Sequence, residues 1–297
     1  MTKQQRNGRK WAGTTYGNSL MHKWLVKLLR VIDIRIVYVF TAVFVIPPCM
    51  FLPGFRFIYR YFRERRGMGR MKAFCSAYRN HCLFGQVVID RFAIYGGKRF
   101  HVDIDGGEYY DTLASREEAF IQLSAHVGNY ELAGYSLKAS KSINALVFDG
   151  EKQTVMENRT KIFADRNIRM IAVREDMSHL YEIERAIRSG EIVSMPADRM
   201  FGSQKSVVTS LLGAPVRLPL GPFAVATSHG LEVLAVNVMK RGATRYKIYV
   251  RPLHYDRQAP RRVQTAQLAQ AYAKELERML EMYPTQWYNY YNVWCSE

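Results

Sequence analysis

Cysteine is scarce in this chain. Cys49, Cys75, Cys82 and Cys295 are the only four in 297 residues, and no two form a Cys-x-x-Cys pair. That excludes a disulfide framework and a zinc site built on paired cysteines, and it fits a reducing compartment. Internal repeats and low-complexity tracts are absent as well, which excludes a solenoid or a fibrous chain. Acidic residues are few, 26 against 43 Lys plus Arg, for a net charge of +17. Such a surplus draws anions: nucleic acid, anionic lipid headgroups or an acidic protein. Disorder is excluded by a hydrophobic content of 48% with 13% aromatics.

An unbroken apolar run long enough to cross a bilayer is missing too. The best candidate, IVYVFTAVFVIPPCMFLPGF (36–55), is uncharged but carries Pro47, Pro48 and Pro53 in its second half. A straight span needs about 20 apolar residues, and each proline removes a helix hydrogen bond. No small-residue cleavage site follows the run, so it does not read as a removable leader. Its flanks are basic on both sides. Lys3, Arg6, Arg9, Lys10, Lys23, Lys27 and Arg30 precede it, and Arg56, Arg60, Arg63, Arg65, Arg66, Arg70 and Lys72 follow with only Glu64 among them. Positive charge marks the cytoplasmic side of short flanks, so charge on both sides favours a segment that dips into one leaflet and returns. Trp11, Trp24, Tyr38, Tyr59 and Tyr61 nearby suit an interfacial anchor on an anionic membrane surface better than the core helix of a soluble protein. Residues 1–66 therefore read as a membrane-associating segment and 67–297 as one further domain.

Helical spacing runs through 70–97 and stops at Gly96-Gly97. The Asp-Gly-Gly of HVDIDGG reads as a hairpin turn. Strands are then expected at 119–125, 143–148, 168–173, 191–195, 206–212, 232–239 and 245–251. Helices are expected at 129–140, 152–166, 177–189, 219–229 and 262–282, with the stretch 212–221 as a loop. This alternation predicts an α/β fold: a mixed, largely parallel central sheet flanked by helices, with an N-terminal helical membrane anchor.

QLSAHVGNYELAGYSL (122–137) is where chemistry is expected. A buried strand has no need of a histidine at its end, and ligands of open α/β sheets bind beyond the carboxyl ends of strands. Asn129 is a good N-cap for the next helix, and Glu131 falls in its first turn. Across a tight Gly-Asn turn the two side chains can converge, so that Glu131 holds one tautomer of His126 as a general base. The backbone amides at Gly128 and Asn129 are then candidates for an oxyanion site. A capping box with an incidental histidine is the plainer reading of the same spacing. Metal binding is not indicated, because no second histidine stands at helical spacing. Arg159, in MENRTKIF, has the planar fork that suits phosphate, or else lies on a solvated helix face. No cofactor is indicated.

Three ordered blocks carry a resemblance. SAHVGNYELAG is similar to the His-x4-Asp/Glu block of the late lipid A acyltransferases, the lauroyl and myristoyl transferases of lipopolysaccharide synthesis. MPADRMFGSQKSVVTSLLGAPVRLPLGPFAVATSHG (195–230) resembles the family's Ala-Asp-Gln/Arg segment and the loop and small-residue helix after it. YPTQWYNYYNVW (283–294) resembles its Pro-x-Gln-Trp ending. The resemblance implies an O-acyltransferase at the cytoplasmic face of a bacterial inner membrane, with acyl carrier protein (or acyl-CoA) as donor and a membrane lipid as acceptor. It gives the catalytic roles to His126 and Glu131. Asp198 and Arg199 map onto residues that shape the site or bind the acceptor, as Asn129 and Arg159 would bind substrate. Here Asp-Arg stands where Asp-Gln is commoner. Acceptors known among such relatives extend to aryl polyene pigment lipids and amino lipids. A silent membrane scaffold and a nucleic-acid-binding protein are the rival classes. The second is disfavoured because the basic residues frame an apolar segment and no recognition module accompanies them.

Overall fold

The computed structural model describes residues 19–148, 167–174, 176–200 and 205–295. The expected helix at 152–166, with Arg159, lies outside them. Nine strands and ten α-helices are described, with two π-helical turns at Thr41–Val45 and Tyr61–Arg65: β1 (His101–Asp105), β2 (Phe120–Ser124), β3 (Ile143–Phe148), β4 (Ile168–Val173), β5 (Ile192–Pro196), β6 (Ser206–Leu211), β7 (Ala214–Pro219), β8 (Glu232–Lys240) and β9 (Arg245–Leu253). The helices are α1 (Ser19–Val31), α2 (Ile34–Phe40), α3 (Ile46–Cys49), α4 (Pro53–Arg60), α5 (Arg70–Tyr95), α6 (Gly107–Ala114), α7 (Glu131–Ser136), α8 (His179–Arg188), α9 (Leu220–Ser228) and α10 (Arg261–Met282).

Seven strands form one sheet in the order β1-β9-β8-β2-β5-β3-β4, and β6 and β7 form a separate ribbon. Every pairing in the large sheet is parallel except β8 with β9. The fold is thus α/β with a mixed, largely parallel sheet, as the strand-helix alternation predicts. Burial on both faces shows in the side chains of β8, whose period of two divides them between two cores. Val233, Ala235 and Met239 join α10 residues such as Leu268, Tyr272 and Leu276. Leu234, Val236 and Val238 join Tyr110 of α6 and Leu132 of α7 on the other side.

Two local expectations are corrected. Asp105-Gly106-Gly107 makes no hairpin: β1 pairs parallel with β9, and α6 starts directly after the turn. Gly106 takes φ +84 there, and a Cβ on it would lie 2.2 Å from the Val250 carbonyl oxygen, so only glycine lets the chain leave the sheet edge. The stretch 212–221 is no loop either. Leu212 (φ 51) and Gly213 (φ 73) turn β6 into β7, two left-handed residues that match a tight hairpin. Pro215 and Pro219 are accommodated because the ribbon has only two strands and the outer edge of β7 is bridged by the C-terminal segment only at Val216, to Trp294, among the described residues.

The N-terminal apolar run is helical but bent. The stretch Ile34–Cys49 meets Pro53–Arg65 at 98°, and no single described helix is long and apolar enough to cross a membrane. Pro53 sits in the first turn of α4, where its missing N–H costs nothing. Phe40, Phe44, Phe51 and Leu52 project outward, Phe51 with 93% of its surface exposed.

This bent segment is tied to the sheet by a buried polar knot. Asp90 of α5 pairs with Lys240 of β8 at 2.5 Å, and both are almost fully buried. The Tyr38 and Tyr246 hydroxyls donate to the same carboxylate, so α2, α5, β8 and β9 meet at one charge. Removing one partner of such a pair leaves the other buried and uncompensated. Lys240→Met is therefore expected to lower stability by about 3–5 kcal/mol, read as a drop in the thermal unfolding midpoint of the detergent-solubilised protein.

Candidate active site

The parallel ladder between β2 and β5 builds the site. Its register pairs Phe120 with Ile192 and keeps that offset through Ser124 and Pro196, so each residue faces one 72 positions on. The Ala197 amide then donates to the Ser124 carbonyl, and the next pair on the same offset is His126 with Asp198. Both lie just past the carboxyl ends of adjacent strands. His126 Nδ1 is 2.6 Å from Asp198 Oδ1, and the His126 backbone amide donates to Asp198 Oδ2 at 2.9 Å. The same Oδ2 takes the Trp287 indole N–H at 3.4 Å. The imidazole side chain keeps 17% of its surface exposed and the carboxylate 1%. The ring is partly exposed; its anchor is not.

The orienting carboxylate is thus Asp198, where Glu131 was expected and where Asp198 was expected to bind substrate. The reason is geometric. A carboxylate one strand away and in register can hold the ring through two hydrogen bonds at once, while Glu131 begins a helix and turns toward α5. Glu131, 5% exposed, accepts the Tyr95 hydroxyl at 3.2 Å and pairs with Arg91 at 3.3 Å. The helix it opens is also shorter than expected, six residues where 129–140 was predicted.

The expected oxyanion site at the Gly128 and Asn129 amides is corrected as well. The Gly128 amide donates to the Gln286 carbonyl at 3.0 Å and the Asn129 amide to Val238 at 2.8 Å. Both donors are spent in fixing the loop between β8 and the C-terminal segment. The side chain of Asn129 makes no N-cap bond; its Oδ1 accepts from Arg91 Nε at 3.5 Å, and Tyr130 occupies the cap position. Gly128 holds φ +50, and a Cβ there would fall 1.8 Å from the Val238 oxygen, a backbone atom that cannot yield.

Arg199 lies beside the pair, its guanidinium donating to the Tyr288 carbonyl. Sequence reasoning missed Arg91, Tyr95 and Trp287 as members of the site. The signal for the first was there: Asp90-Arg91 interrupts the otherwise apolar VVIDRFAIY, and charge on a buried helix face needs a partner. The C-terminal segment braces the loop. Tyr288 N–H donates to the His126 carbonyl at 2.9 Å, and the Tyr291 hydroxyl to that of Asp198 at 2.8 Å. The Gln286 carboxamide bonds both backbone groups of Lys240 at 2.8 Å, standing in for a missing strand neighbour. Among the described residues no three His, Cys, Asp or Glu side chains converge to hold a metal.

The electrostatics follow from this packing. Burial pushes the His126 imidazole below its usual value near 6.5, Arg199 and more weakly Arg91 push the same way, and Asp198 opposes them. Burial alone would raise Asp198; the facing His126 ring, Arg199 and the His126 amide outweigh it and bring the carboxyl to about 2. The state that satisfies both sets of contacts is an ionised carboxylate beside a neutral ring, because Arg199, the amide and the indole N–H support the anion without imidazolium. In that state Nδ1 carries the hydrogen and the ring's lone pair is on Nε2.

Gly128→Ala forces a side chain into a left-handed position and into a backbone oxygen. It is expected to cost more than the roughly 1–2 kcal/mol of left-handed strain alone, lowering the unfolding midpoint and abolishing activity together.

Among curated protein sequences none matches this chain. Among solved structures, the 1-acyl-sn-glycerophosphate (LPA) acyltransferase PlsC from Thermotoga maritima is similar at 14% identity and a TM-score of 0.40, over 86% of this chain and 99% of that one. The sequence pattern of the family described as bacterial lipid A biosynthesis acyltransferase matches residues 97–295. That match covers more than half of the chain and takes in His126, Asp198 and the segment that braces them, so the protein belongs to the bacterial lipid A biosynthesis acyltransferase family and is an acyltransferase.

Proposed function

We propose that this protein transfers a fatty acyl chain from an acyl-thioester, carried by acyl carrier protein, to a hydroxyl of a lipid A-type acceptor at the cytoplasmic face of a bacterial inner membrane. The observation that carries this reading is the Nδ1 contact of His126 with the buried Asp198, which turns Nε2 into a proton acceptor. The acceptor oxygen gives its proton to Nε2 as it bonds to the thioester carbonyl carbon. The carbon–sulfur bond then breaks, and the thiolate takes the proton back from the ring. Atoms and charge balance without a covalent enzyme intermediate or a metal.

A membrane site for the reaction is supported by the bent N-terminal segment. Its outward apolar side chains are flanked in sequence by the basic clusters on either side of 36–55, the combination that holds a protein at an anionic surface. A lipid acceptor is reached from there without leaving the bilayer. The surplus of 43 basic over 26 acidic residues suits an acidic carrier protein as donor. Lipid mass spectrometry of a deletion strain tests acceptor and chain together. Loss of one acyl chain from lipid A is expected; loss from a pigment lipid or an amino lipid would replace the acceptor.

His126→Ala is expected to lower turnover by about 10²–10⁴-fold with the fold retained. Asp198→Asn should fall in the same range, because it removes the charge that balances the imidazolium formed during transfer. The pH dependence has a definite sign. The neutral ring is the active form and its pKa is depressed, so activity should be flat through neutrality and fall only below the ordinary imidazole range; a limb centred above 6.5 would contradict the assignment. Replacing Phe44 and Phe51 together by Asp should weaken binding to anionic vesicles by about tenfold or more for each ring lost from the bilayer, at roughly 1.5–3 kcal/mol per ring, measured by flotation.

A further inference from the structure

Once Glu131 is seen facing α5, a second charged cluster stands beside His126. Arg91 is held on three sides: Glu131 Oε1 lies 3.3 Å from its Nη1, Asn129 Oδ1 accepts from its Nε at 3.5 Å, and the Tyr130 ring lies 4.8 Å beneath its guanidinium. Tyr95 pins the far oxygen of Glu131 at 3.2 Å. Tyr130 also meets the His126 ring edge-on, with centroids 5.9 Å apart, so cation and base share one aromatic neighbour. Glu131 keeps 3% of its side-chain surface exposed and Arg91 keeps 20%. The carboxylate is sealed in and the guanidinium looks out.

Asn129 adds a second donor. It is wholly buried, and with Oδ1 turned to Arg91 its Nδ2 has no hydrogen-bond partner among the described residues. Turning the amide over would set its NH2 against the guanidinium, so the orientation is fixed by charge. A buried amide donor left unmade is costly unless something else accepts from it. The neighbouring backbone amides of Gly128 and Asn129 are already committed to carbonyls. A purely structural ion pair gives no reason to keep a partly exposed cation beside the general base, where it opposes protonation of the ring.

We infer that Glu131 is a positioning residue for Arg91, and that the Arg91 guanidinium and the Asn129 carboxamide are the donors that meet the thioester carbonyl oxygen as it takes on negative charge. The inference rests on the proposed acyl transfer. When the acceptor oxygen bonds to the carbonyl carbon, the π electrons of the carbonyl move to its oxygen, and they return when the thiolate leaves. A donor set of one cation and one amide N–H at that oxygen stabilises the tetrahedral state more than the ground-state thioester. The cluster thus takes an acyl-thioester carbonyl, and the Glu131 carboxylate reaches the reaction through the guanidinium it holds.

The test is steady-state kinetics of the full-length protein in detergent, with lauroyl-acyl carrier protein and a hydroxyl-bearing lipid A precursor. Arg91→Met, Arg91→Lys, Glu131→Gln and the double variant Arg91→Met/Glu131→Gln are compared, with His126→Ala in parallel. Arg91→Met should lower kcat by about 10²–10³-fold with KM nearly unchanged. Arg91→Lys keeps the charge without the planar fork and should recover part of that loss. The double variant should be no slower than Arg91→Met alone, because Glu131 acts through the residue already removed. Normal kcat in Arg91→Met or Arg91→Lys overturns the inference. So does a rise in KM at constant kcat, which would make Arg91 a ground-state anion site, and so do losses that multiply in the double variant. If Arg91→Met fails to fold, Arg91→Lys and Glu131→Gln decide: both must lower kcat at constant KM. If His126→Ala keeps its activity, the acyl-transfer reading itself fails; if only the Arg91 variants keep theirs, that reading survives and this inference does not.

Discussion

The contact between a buried carboxylate at Asp198 and the imidazole of His126 is the constraint around which the site is organised. It is an outgrowth of sheet register. Parallel neighbours β2 and β5 hold a constant offset, and the two residues that follow them inherit it. Two hydrogen bonds, one to the ring and one to the backbone amide, then fix the ring's position along the strand as well as its tautomer. A ring held through the register of adjacent strands loses less of its geometry to thermal motion than one held by a loop alone. The burial of Asp198 costs desolvation, and that cost is met by charge and by N–H donors converging from three segments of the chain.

The C-terminal aromatic segment takes its meaning from that same carboxylate. Trp287 reaches Asp198 through its indole N–H, and its ring packs edge-on against Tyr61 with centroids 5.5 Å apart. Tyr61 follows directly on α4 in the bent apolar segment. One tryptophan therefore touches the carboxylate that holds the His126 ring and the segment proposed to lie in the membrane. Asn80 of α5 holds the Trp287 carbonyl at 2.8 Å, which keeps the indole from swinging away. The apolar segment and the site are thus joined through directly packed rings.

Patterns of local period were legible in the sequence. The long helix ending at Gly96, the strands from 143 to 148 and 168 to 173, and the histidine at the mouth of β2 follow from spacing alone. Pairings across the sheet were not. Nothing local to His126 points to a residue 72 positions on, because strand order and register belong to the whole fold. The nearer Glu131 was the natural partner by distance along the chain, and its helix start carried it to Arg91 instead. Backbone amides at Gly128 and Asn129 looked available because a sequence does not display which carbonyls will arrive; those of Gln286 and Val238 did. Strand β7 was hidden by its prolines, which are read as breakers until an edge position makes room for them, whereas β6 was expected at 206–212.

The charge around His126 also has a chemical logic. Burial and two guanidinium groups disfavour the protonated ring, and Asp198 alone pulls the other way. A ring so placed is a weaker base than free imidazole, and once charged it is a readier acid. The acyl transfer proposed above, from a thioester, would use both properties in turn. Taking a proton from a hydroxyl needs the base only while the new bond forms, when the developing carbonyl charge offsets the nearby cations. Collapse toward the thioester sulfur removes that charge, and the cations then favour release of the proton to the departing thiolate. In the proposed mechanism the arginines that weaken the resting base are matched to the charge that appears midway, so their cost falls on the free enzyme and their benefit on the transition state.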